Sequence, residues 1–281
     1  MKYDPIKARL GKIFNRHIFL RKLFYSLLDL LLLRAWHVHY HLKGFFSRNK
    51  NNPDIRVLDA GSGFGQYSWY IARKNPKWQI HGIELKEEQV EDCNQFFAKT
   101  SASKASFFTH DLTLYQKPAH YDLVLSIDVM EHIEEDVKVF ENFHASMRPG
   151  GMLLISTPSD QGGSGVEHEH DESFIEEHVR DGYGKEEIIQ KLQSAGFESI
   201  EVKYTYGKPG SLSWKLSMKY PILMLGKSAI FYLVLPLYYL LVFPFCMVLN
   251  YLDVRSNHAT GTGLLVKAYK NSQTHNINSE I

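Results

Sequence analysis

The stretch VLDAGSGFGQ, residues 57–66, joins a short apolar run to a turn that contains three glycines in alternate positions. Gly61, Gly63 and Gly65 allow positive φ angles and let a ligand approach the backbone closely. The spacing is G-x-G-x-G, whereas the dinucleotide fingerprint is G-x-G-x-x-G, and an acid, Asp59, stands two residues before the first glycine. The stretch therefore predicts a strand, a ligand-binding turn and a following helix.

Outward from this turn, strand and helix patterns alternate along the chain. Apolar strand runs recur after polar helical segments until IEVKYTY (200–206), and GTGLLVKAYK (261–270) reads as a seventh strand. This alternation predicts an α/β protein with a doubly wound parallel sheet. Ligands bind such sheets beyond the carboxyl ends of the strands, so the loops there are the first place to look for a site.

The glycine turn with its preceding acid resembles motif I of the class I S-adenosylmethionine-dependent methyltransferases. The resemblance continues in IHGIEL, FFTHDL, YDLVLSIDVMEHI and MRPGGMLLIS, in the order that this family shows, and points to its small-molecule and lipid (type 11-like) branch. It implies a seven-stranded Rossmann-like sheet whose last strand is antiparallel, with S-adenosylmethionine as cofactor. A carboxylate near the glycines suits a methionine group that carries an ammonium and a sulfonium.

The resemblance also implies a set of residues for the methyl donor. Glu84 would hold the ribose hydroxyls, Asp111 would meet the adenine amino group, and Ser126 and Asp128 would pass beside the methyl donor. The full implied set is Asp59, Gly61, Ser62, Gly63, Gly65, Glu84, Leu85, Asp111, Leu112, Ser126 and Asp128. Two simpler readings stay open, in which Asp59 caps the turn and Asp111 is an ordinary loop acid.

Histidines near the active mouth are the candidates for a base that removes the acceptor's proton. His170 and His168 lie after the fifth strand, beyond a glycine-rich hinge, and rank ahead of His178; His132 follows the fourth strand. The catalytic candidates are therefore His170, His168 and His132. The alternatives are a solvated charged loop and, through the D-x-x-E-H run at 128–132, a divalent-metal site. We expect no metal.

Charge is distributed unevenly along the chain. Residues 1–50 contain eleven lysines and arginines against two aspartates, a net +9, while the remainder holds 21 basic and 29 acidic residues, a net −8. A basic arm interleaved with leucine runs favours anionic lipid over nucleic acid, so no nucleic-acid partner is expected. Two cysteines, Cys93 and Cys246, form no disulfide framework and indicate a cytoplasmic setting. We predict basic amphipathic helices over 1–50, a methyltransferase core over 51–210, an apolar membrane-associating insertion over 211–252, and the last strand with a polar tail over 253–281.

The segment SAIFYLVLPLYYLLVFPFCMVLNYL, residues 228–252, contains no ionisable acid or base of the Asp, Glu, Lys, Arg or His type. Its length exceeds the ~20 residues that span a bilayer. A single crossing would separate the sixth strand from the seventh, and Pro236 and Pro244 are expected to break or kink a straight helix. We therefore expect an entry-and-return wedge or interfacial helices on the inner face of the membrane, attracted to anionic lipid by five lysines between 202 and 252. A cap over the cleft or a dimer interface is the alternative.

These observations predict methyl transfer from S-adenosylmethionine, to oxygen before carbon, onto a lipophilic acceptor such as a quinone precursor, a phenolic or polyene lipid, or a lipid headgroup. The alternatives are a nicotinamide-dependent reductase and a non-catalytic membrane scaffold. The glycine spacing and the lack of an obvious Tyr-x-x-x-Lys pair disfavour the reductase, and the intact glycine turn with Glu84 and Asp111 disfavours the scaffold.

Overall fold

A computed structural model describes residues 17–100, 102, 104–162, 179–228 and 230–271. A seven-stranded sheet forms its centre. The strands are β1 (Arg56–Ala60), β2 (Gln79–Glu84), β3 (Ala105–Thr109), β4 (Tyr121–Ile127), β5 (Met147–Pro158), β6 (Ser199–Thr205) and β7 (Gly263–Tyr269). Their order across the sheet is β3-β2-β1-β4-β5-β7-β6.

Only β7 runs against its neighbours, since it pairs antiparallel with both β5 and β6. The four strands β1 to β4 pair in parallel. The strand β1 lies near the centre of the sheet, between β2 on one side and β4 on the other. Buried aliphatic residues on both faces of these strands explain why they read as continuous apolar runs. The predicted doubly wound sheet with an antiparallel last strand is confirmed.

Helices cover the sheet on both faces. They are α1 (Ile18–Leu31), α2 (Leu33–Arg48), α3 (Gln66–Lys74), α4 (Glu87–Ala98), α5 (Asp136–Ser146), α6 (Lys185–Ser194), α7 (Lys208–Trp214), α8 (Tyr220–Lys227) and α9 (Phe231–Arg255), with a 3₁₀ turn at Met130–His132 and a π-helical turn at Lys215–Lys219. One core layer contains residues of α2, α3 and α4, and the other contains residues of α5 and α6.

The helix α1 packs against the glycine turn through a buried cation. The Arg21 guanidinium donates to the carbonyl oxygens of Phe64 (3.1 Å) and Asp92 (3.0 Å) and to the Tyr25 hydroxyl (2.8 Å). The Tyr25 hydroxyl in turn donates to the Phe64 carbonyl. Because Phe64 lies inside the glycine turn, these bonds attach the N-terminal helices to the predicted ligand site.

The apolar segment between β6 and β7 folds as a helical hairpin. Its first limb runs through α7, the π-helical turn and α8, and its second limb is α9. The Tyr238 and Tyr239 hydroxyls donate to the carbonyls of Leu216 (2.7 Å) and Ser217 (2.8 Å), so the limbs lie side by side. The chain therefore leaves the sheet at β6 and returns to it at β7, as an entry-and-return segment must.

Of the predicted break or kink at Pro236 and Pro244, the break is wrong, because both prolines lie inside the continuous 25-residue helix α9, and the kink stays a prediction. A proline removes one N–H donor from the helical ladder, which is a local cost. Hydrogen bonds to the first limb lie on both sides of Pro244. Before it, the Tyr239 hydroxyl donates to the Ser217 carbonyl, and after it, Asn250 accepts from the Ser213 hydroxyl (2.6 Å).

Candidate active site

The glycine turn adopts the geometry that the sequence predicts. Gly61, Gly63 and Gly65 have φ angles of +74°, +51° and +75°. A Cβ on Gly61 would lie 2.3 Å from the Val129 side chain, whereas a Cβ on Gly63 would meet no atom within 4 Å among the described residues. The turn is thus packed from behind at Gly61 and open in front at Gly63, where a ligand can approach the backbone.

Asp59 is buried at the end of β1, and its carboxylate faces the helix α3. It accepts hydrogen bonds from the Ser68 backbone N–H (3.1 Å) and from the Ser68 hydroxyl (2.6 Å). Burial raises the pKa of Asp59 to about 6, against the lowering effect of the Ser68 bonds, and the nearby Glu84 carboxylate raises it further. These bonds join one Asp59 oxygen to the first turn of α3 and not to the glycine turn, and the contact of Asp59 with the methyl donor stays a prediction.

Glu84 closes the other side of the turn. One carboxylate oxygen accepts from the Gly63 N–H (3.0 Å), and the other accepts from the N–H groups of Leu85 (2.9 Å) and Lys86 (3.2 Å). Leu85 is 67% exposed beside it and offers an apolar surface at the mouth. The carboxylate is thus held at the carboxyl end of β2, next to the open face of Gly63.

Asp111 and Leu112 follow β3 at the same edge of the sheet. One Asp111 oxygen accepts from the N–H and the hydroxyl of Thr113, both at 2.8 Å, in a local turn. Asp111 is partly exposed and Leu112 is buried. The ordinary-loop reading accounts for these bonds, and a contact with adenine stays a prediction.

Two buried hydroxyls test whether the site fits S-adenosylmethionine. Ser62 in the glycine turn and Ser126 near the end of β4 are buried, and neither Oγ atom has a hydrogen-bond partner among the described residues. A buried hydroxyl without a partner costs free energy, and a polar ligand bound at this edge of the sheet is one way to satisfy it. Together with the open face of Gly63 and the fixed Glu84 carboxylate, they suit a donor that carries hydroxyl, ammonium and carboxylate groups.

Beyond β4, Asp128 has a positive φ of +53°, which is uncommon outside glycine. Its carboxylate forms an ion pair with Arg34 of α2. The Arg34 guanidinium also donates to the Tyr67 hydroxyl (3.3 Å), and the Arg34 backbone N–H donates to the Tyr206 hydroxyl (3.1 Å). Tyr206 has a φ of +55°, so two residues with strained backbones meet at this arginine.

Arg34, Tyr67 and Tyr206 are the residues of this site that the sequence analysis missed. They come from α2, α3 and the end of β6, and no motif joins them. The only sequence signal was indirect, in that Tyr206 follows a predicted strand at the edge where ligands bind.

The predicted base His132 ends the 3₁₀ turn after β4 and is partly exposed. Its neighbour Glu131 is buried and accepts a hydrogen bond from the Thr157 hydroxyl (3.1 Å), and burial raises the pKa of Glu131. The other predicted bases, His168 and His170, lie outside the described residues, as does His178. Within the described ranges no three His, Cys, Asp or Glu side chains converge as metal ligands, and the metal alternative depended on His168 or His170.

Comparison with known proteins supports the methyltransferase fold and its cofactor. The family described as a methyltransferase domain matches residues 58–153, which run from β1 into β5. Phosphoethanolamine N-methyltransferase 1 of Zea mays is 28% identical over 162 residues, which cover 56% of this chain and 31% of that protein. The ubiquinone biosynthesis O-methyltransferase of Rickettsia felis is 23% identical over 188 residues, which cover 64% of this chain and 75% of that protein. The match thus spans about a third of the maize relative.

A solved structure shares the fold. Phosphoethanolamine N-methyltransferase 2 of Haemonchus contortus, in complex with S-adenosyl-L-methionine, superposes with a TM-score of 0.58 at 20% identity, covering 88% of this chain and 60% of that one. S-adenosylmethionine is the methyl donor of this class of enzyme. The motif order, the sheet order and the family match over residues 58–153 support a class I S-adenosylmethionine-dependent methyltransferase domain.

Proposed function

We propose that the protein transfers a methyl group from S-adenosylmethionine to a lipophilic acceptor that resides in a membrane, with oxygen as the first choice of acceptor atom and carbon as the second. Acceptors of this class include a quinone precursor, a phenolic or polyene lipid and a lipid headgroup. In this proposal the enzyme is peripheral or monotopic and works at the cytoplasmic face.

The exposed helix α9 carries the proposal. Within the described part of the chain, Phe231–Arg255 is the one helix that is long and apolar enough to cross a membrane, and 11% of its most apolar window is buried. A core helix of this composition would be mostly buried. Its exposed apolar side chains include Tyr232, Leu233, Leu237, Leu240, Leu241 and Phe245. Exposed apolar area on this scale marks a surface for lipid or for another protein.

Charge favours lipid over a second protein copy. The range 202–252 contains five lysines and no aspartate or glutamate. Cations beside an apolar, aromatic-rich face are attracted to anionic headgroups. A second apolar stripe on α1 includes Phe19, Leu23 and Leu27, and Phe19 is 72% exposed. Two weak contacts together give more stable binding than either alone.

The chemistry assigned to this chain's residues is binding, orientation and proton removal. Glu84 and the glycine turn hold the donor, which supplies an electrophilic methyl group when bound. Asp128 and Arg34 orient the acceptor beside it, and His132 takes the proton of an acceptor hydroxyl. The two curated relatives named above are an N- and an O-methyltransferase, so they do not by themselves decide the acceptor atom.

Lipid-extract profiling with a labelled methyl donor tests the reaction. Membranes from cells that express the protein and from cells that lack it are incubated with methyl-labelled S-adenosylmethionine and extracted into organic solvent. The proposal predicts a labelled lipophilic product that requires the protein. Label that stays in the aqueous phase in both samples would defeat the lipophilic acceptor.

Membrane attachment is tested by triple substitution of Leu237, Leu240 and Leu241 by glutamine. These side chains are exposed, so the changes preserve packing while they remove apolar contact. We expect the variant to move from the membrane pellet to the soluble fraction. Leu114→Gln is the matched control, since Leu114 is 75% exposed on the loop after β3, away from the hairpin. Equal pelleting of variant and control would contradict attachment by α9.

A further inference from the structure

An open cavity lies where the hairpin joins the sheet. Its volume is about 380 Å³, and it is bordered by the loop after β5, the start of α7 and the loop before β7. The polar side chains around it are Gln161, Lys208, Ser211, Lys215, Thr260 and Thr262. None of the residues discussed for the methyl donor lines it.

The cavity suits an anion. Lys208 and Lys215 are seven residues apart on one helical limb, so they share a face. Neither lysine forms an ion pair within the described part of the chain, and no described acidic side chain lines the cavity. Two ammonium groups with hydroxyl and amide donors provide the charge and the hydrogen bonds that a phosphate or a carboxylate requires.

The buried carboxylate of Asp253, close to the start of α7, already has partners of its own. Asp253 is buried and accepts hydrogen bonds from the N–H groups of Gly210 (2.9 Å) and Tyr206 (3.1 Å), and it pairs with His37 (2.8 Å). Within the described part of the chain, the positive charge of the two lysines is therefore available to a ligand.

The position of the cavity joins the methyl-transfer site to the lipid-facing surface. Tyr206 lines the cavity, and its hydroxyl accepts a hydrogen bond from Arg34, which pairs with Asp128 at the end of β4. Leu212 of the hairpin also lines the cavity and is exposed. The cavity therefore shares one residue with the Arg34 contacts and one with the exposed apolar surface of the hairpin.

We propose that this cavity binds the anionic group, a phosphate or a carboxylate, of an amphiphilic acceptor, and that Lys208 and Lys215 neutralise its charge. This inference rests on the proposed function, because it identifies the acceptor as a membrane amphiphile with an anionic headgroup. The apolar part of the same molecule lies along Leu212 and the hairpin.

The test compares two double variants of the full chain that remove equal charge. Lys208→Ala/Lys215→Ala removes both cavity lysines, whereas Lys219→Ala/Lys227→Ala removes two lysines of the same hairpin that do not line the cavity. Binding is measured to vesicles of phosphatidylcholine alone and of phosphatidylcholine with phosphatidic acid, and to glycerol 3-phosphate and inorganic phosphate in solution. Titration with S-adenosylhomocysteine checks the donor site in every variant.

We expect the cavity variant to lose about tenfold or more of its affinity for phosphatidic acid vesicles and for glycerol 3-phosphate, beyond any loss in the control variant. Equal losses in the two variants would overturn the cavity site. Lysine-dependent binding of inorganic phosphate with no such dependence for the vesicles would overturn the amphiphile. Failure of the wild-type protein to bind S-adenosylhomocysteine would instead contradict the proposed function. Failure of the cavity site and failure of the proposed function are therefore distinguishable.

Discussion

Arg34 in α2 forms an ion pair with Asp128 at the end of β4, although the two residues are 94 positions apart in the sequence. The pair brings a cation from the N-terminal helices to the edge of the sheet where the methyl donor is expected. Its aspartate has a positive φ, which the surrounding contacts must hold in place. The N-terminal helices are therefore part of the mouth of the site and also pack against the core.

Substitution of Arg34 by glutamine should reduce methyl transfer while donor binding persists. The side chains of Arg34 and Asp128 are 28% and 36% exposed, so solvent screens the pair. Its loss should cost at most about 1 kcal/mol in the free energy of unfolding. Misplacement of the acceptor should nevertheless slow transfer by about tenfold or more. The rate is measured with labelled donor, and affinity by titration with S-adenosylhomocysteine.

The control for this prediction is Arg48→Gln, which removes a cation from the exposed end of the same helix. It should leave the rate of methyl transfer unchanged. Equal rates for wild type, Arg34→Gln and Arg48→Gln would contradict a role for Arg34 in positioning the acceptor.

The sequence predicted the sheet and the glycine turn because both are encoded locally. Positive-φ glycines, buried aliphatic runs and an acid at the end of β2 each depend on a few adjacent residues. The contacts of Arg34 with Asp128 and Tyr206 join three segments that are distant in the sequence. A helical pattern does not indicate which segments the polar residues of the helix will contact. The same limit applies to the predicted break at Pro236 and Pro244, since contacts with the opposite limb of the hairpin accompany the uninterrupted helix.

Glu84→Ala should abolish or severely weaken donor binding. The carboxylate accepts hydrogen bonds from Gly63 and Leu85, so its removal frees the turn as well as deleting the expected ribose acceptor. Loss of a charged hydrogen-bonding group of this kind costs about 1.5–3 kcal/mol, which is roughly a 10- to 150-fold loss of affinity. Titration calorimetry with S-adenosylmethionine measures the change.

Glu88→Ala is the matched control for Glu84, because Glu88 is an exposed acid in the first turn of α4. Its affinity for the donor should equal that of the wild type. Unimpaired binding by Glu84→Ala would remove Glu84 from the donor site.

Asp59 makes the stability of the protein depend on pH. Burial raises its folded-state pKa to about 6, whereas the unfolded chain titrates near its ordinary value of about 4. Between these values the folded protein binds more protons than the unfolded chain, so the free energy of unfolding falls as pH rises through this window. The contribution is fully present below about pH 4 and is lost above about pH 6.

Asp59→Asn should therefore be more stable than the wild type at pH 8, by about 2 to 3 kcal/mol, because the amide keeps an acceptor for the Ser68 N–H and carries no charge. Denaturant unfolding at pH 4.5 and pH 8 measures the effect. Asp54→Asn changes an exposed loop acid and should leave the pH dependence of the wild type intact. A wild-type stability that rises between these pH values through Asp59 would contradict the raised pKa.

Gly61→Ala should unfold the protein more readily and abolish donor binding. The substitution places a Cβ at a φ of +74° and within 2.3 Å of the Val129 side chain. Left-handed strain costs about 1–2 kcal/mol and overpacking adds about 1–3 kcal/mol. Thermal or denaturant unfolding measures the stability, and titration with S-adenosylhomocysteine measures the site.

Two further variants separate strain from overpacking. Gly150→Ala has a φ of +78° with no described atom within 4 Å of its Cβ, so it should show the backbone strain alone. Gly61→Ala/Val129→Ala removes the clash at the turn. It should be more stable than Gly61→Ala if truncation of Val129 costs less free energy of unfolding than the clash does. If Gly61→Ala costs no more than Gly150→Ala, the contact with Val129 does not constrain the turn. Retained donor binding in Gly61→Ala would show that the donor site tolerates a side chain at this position.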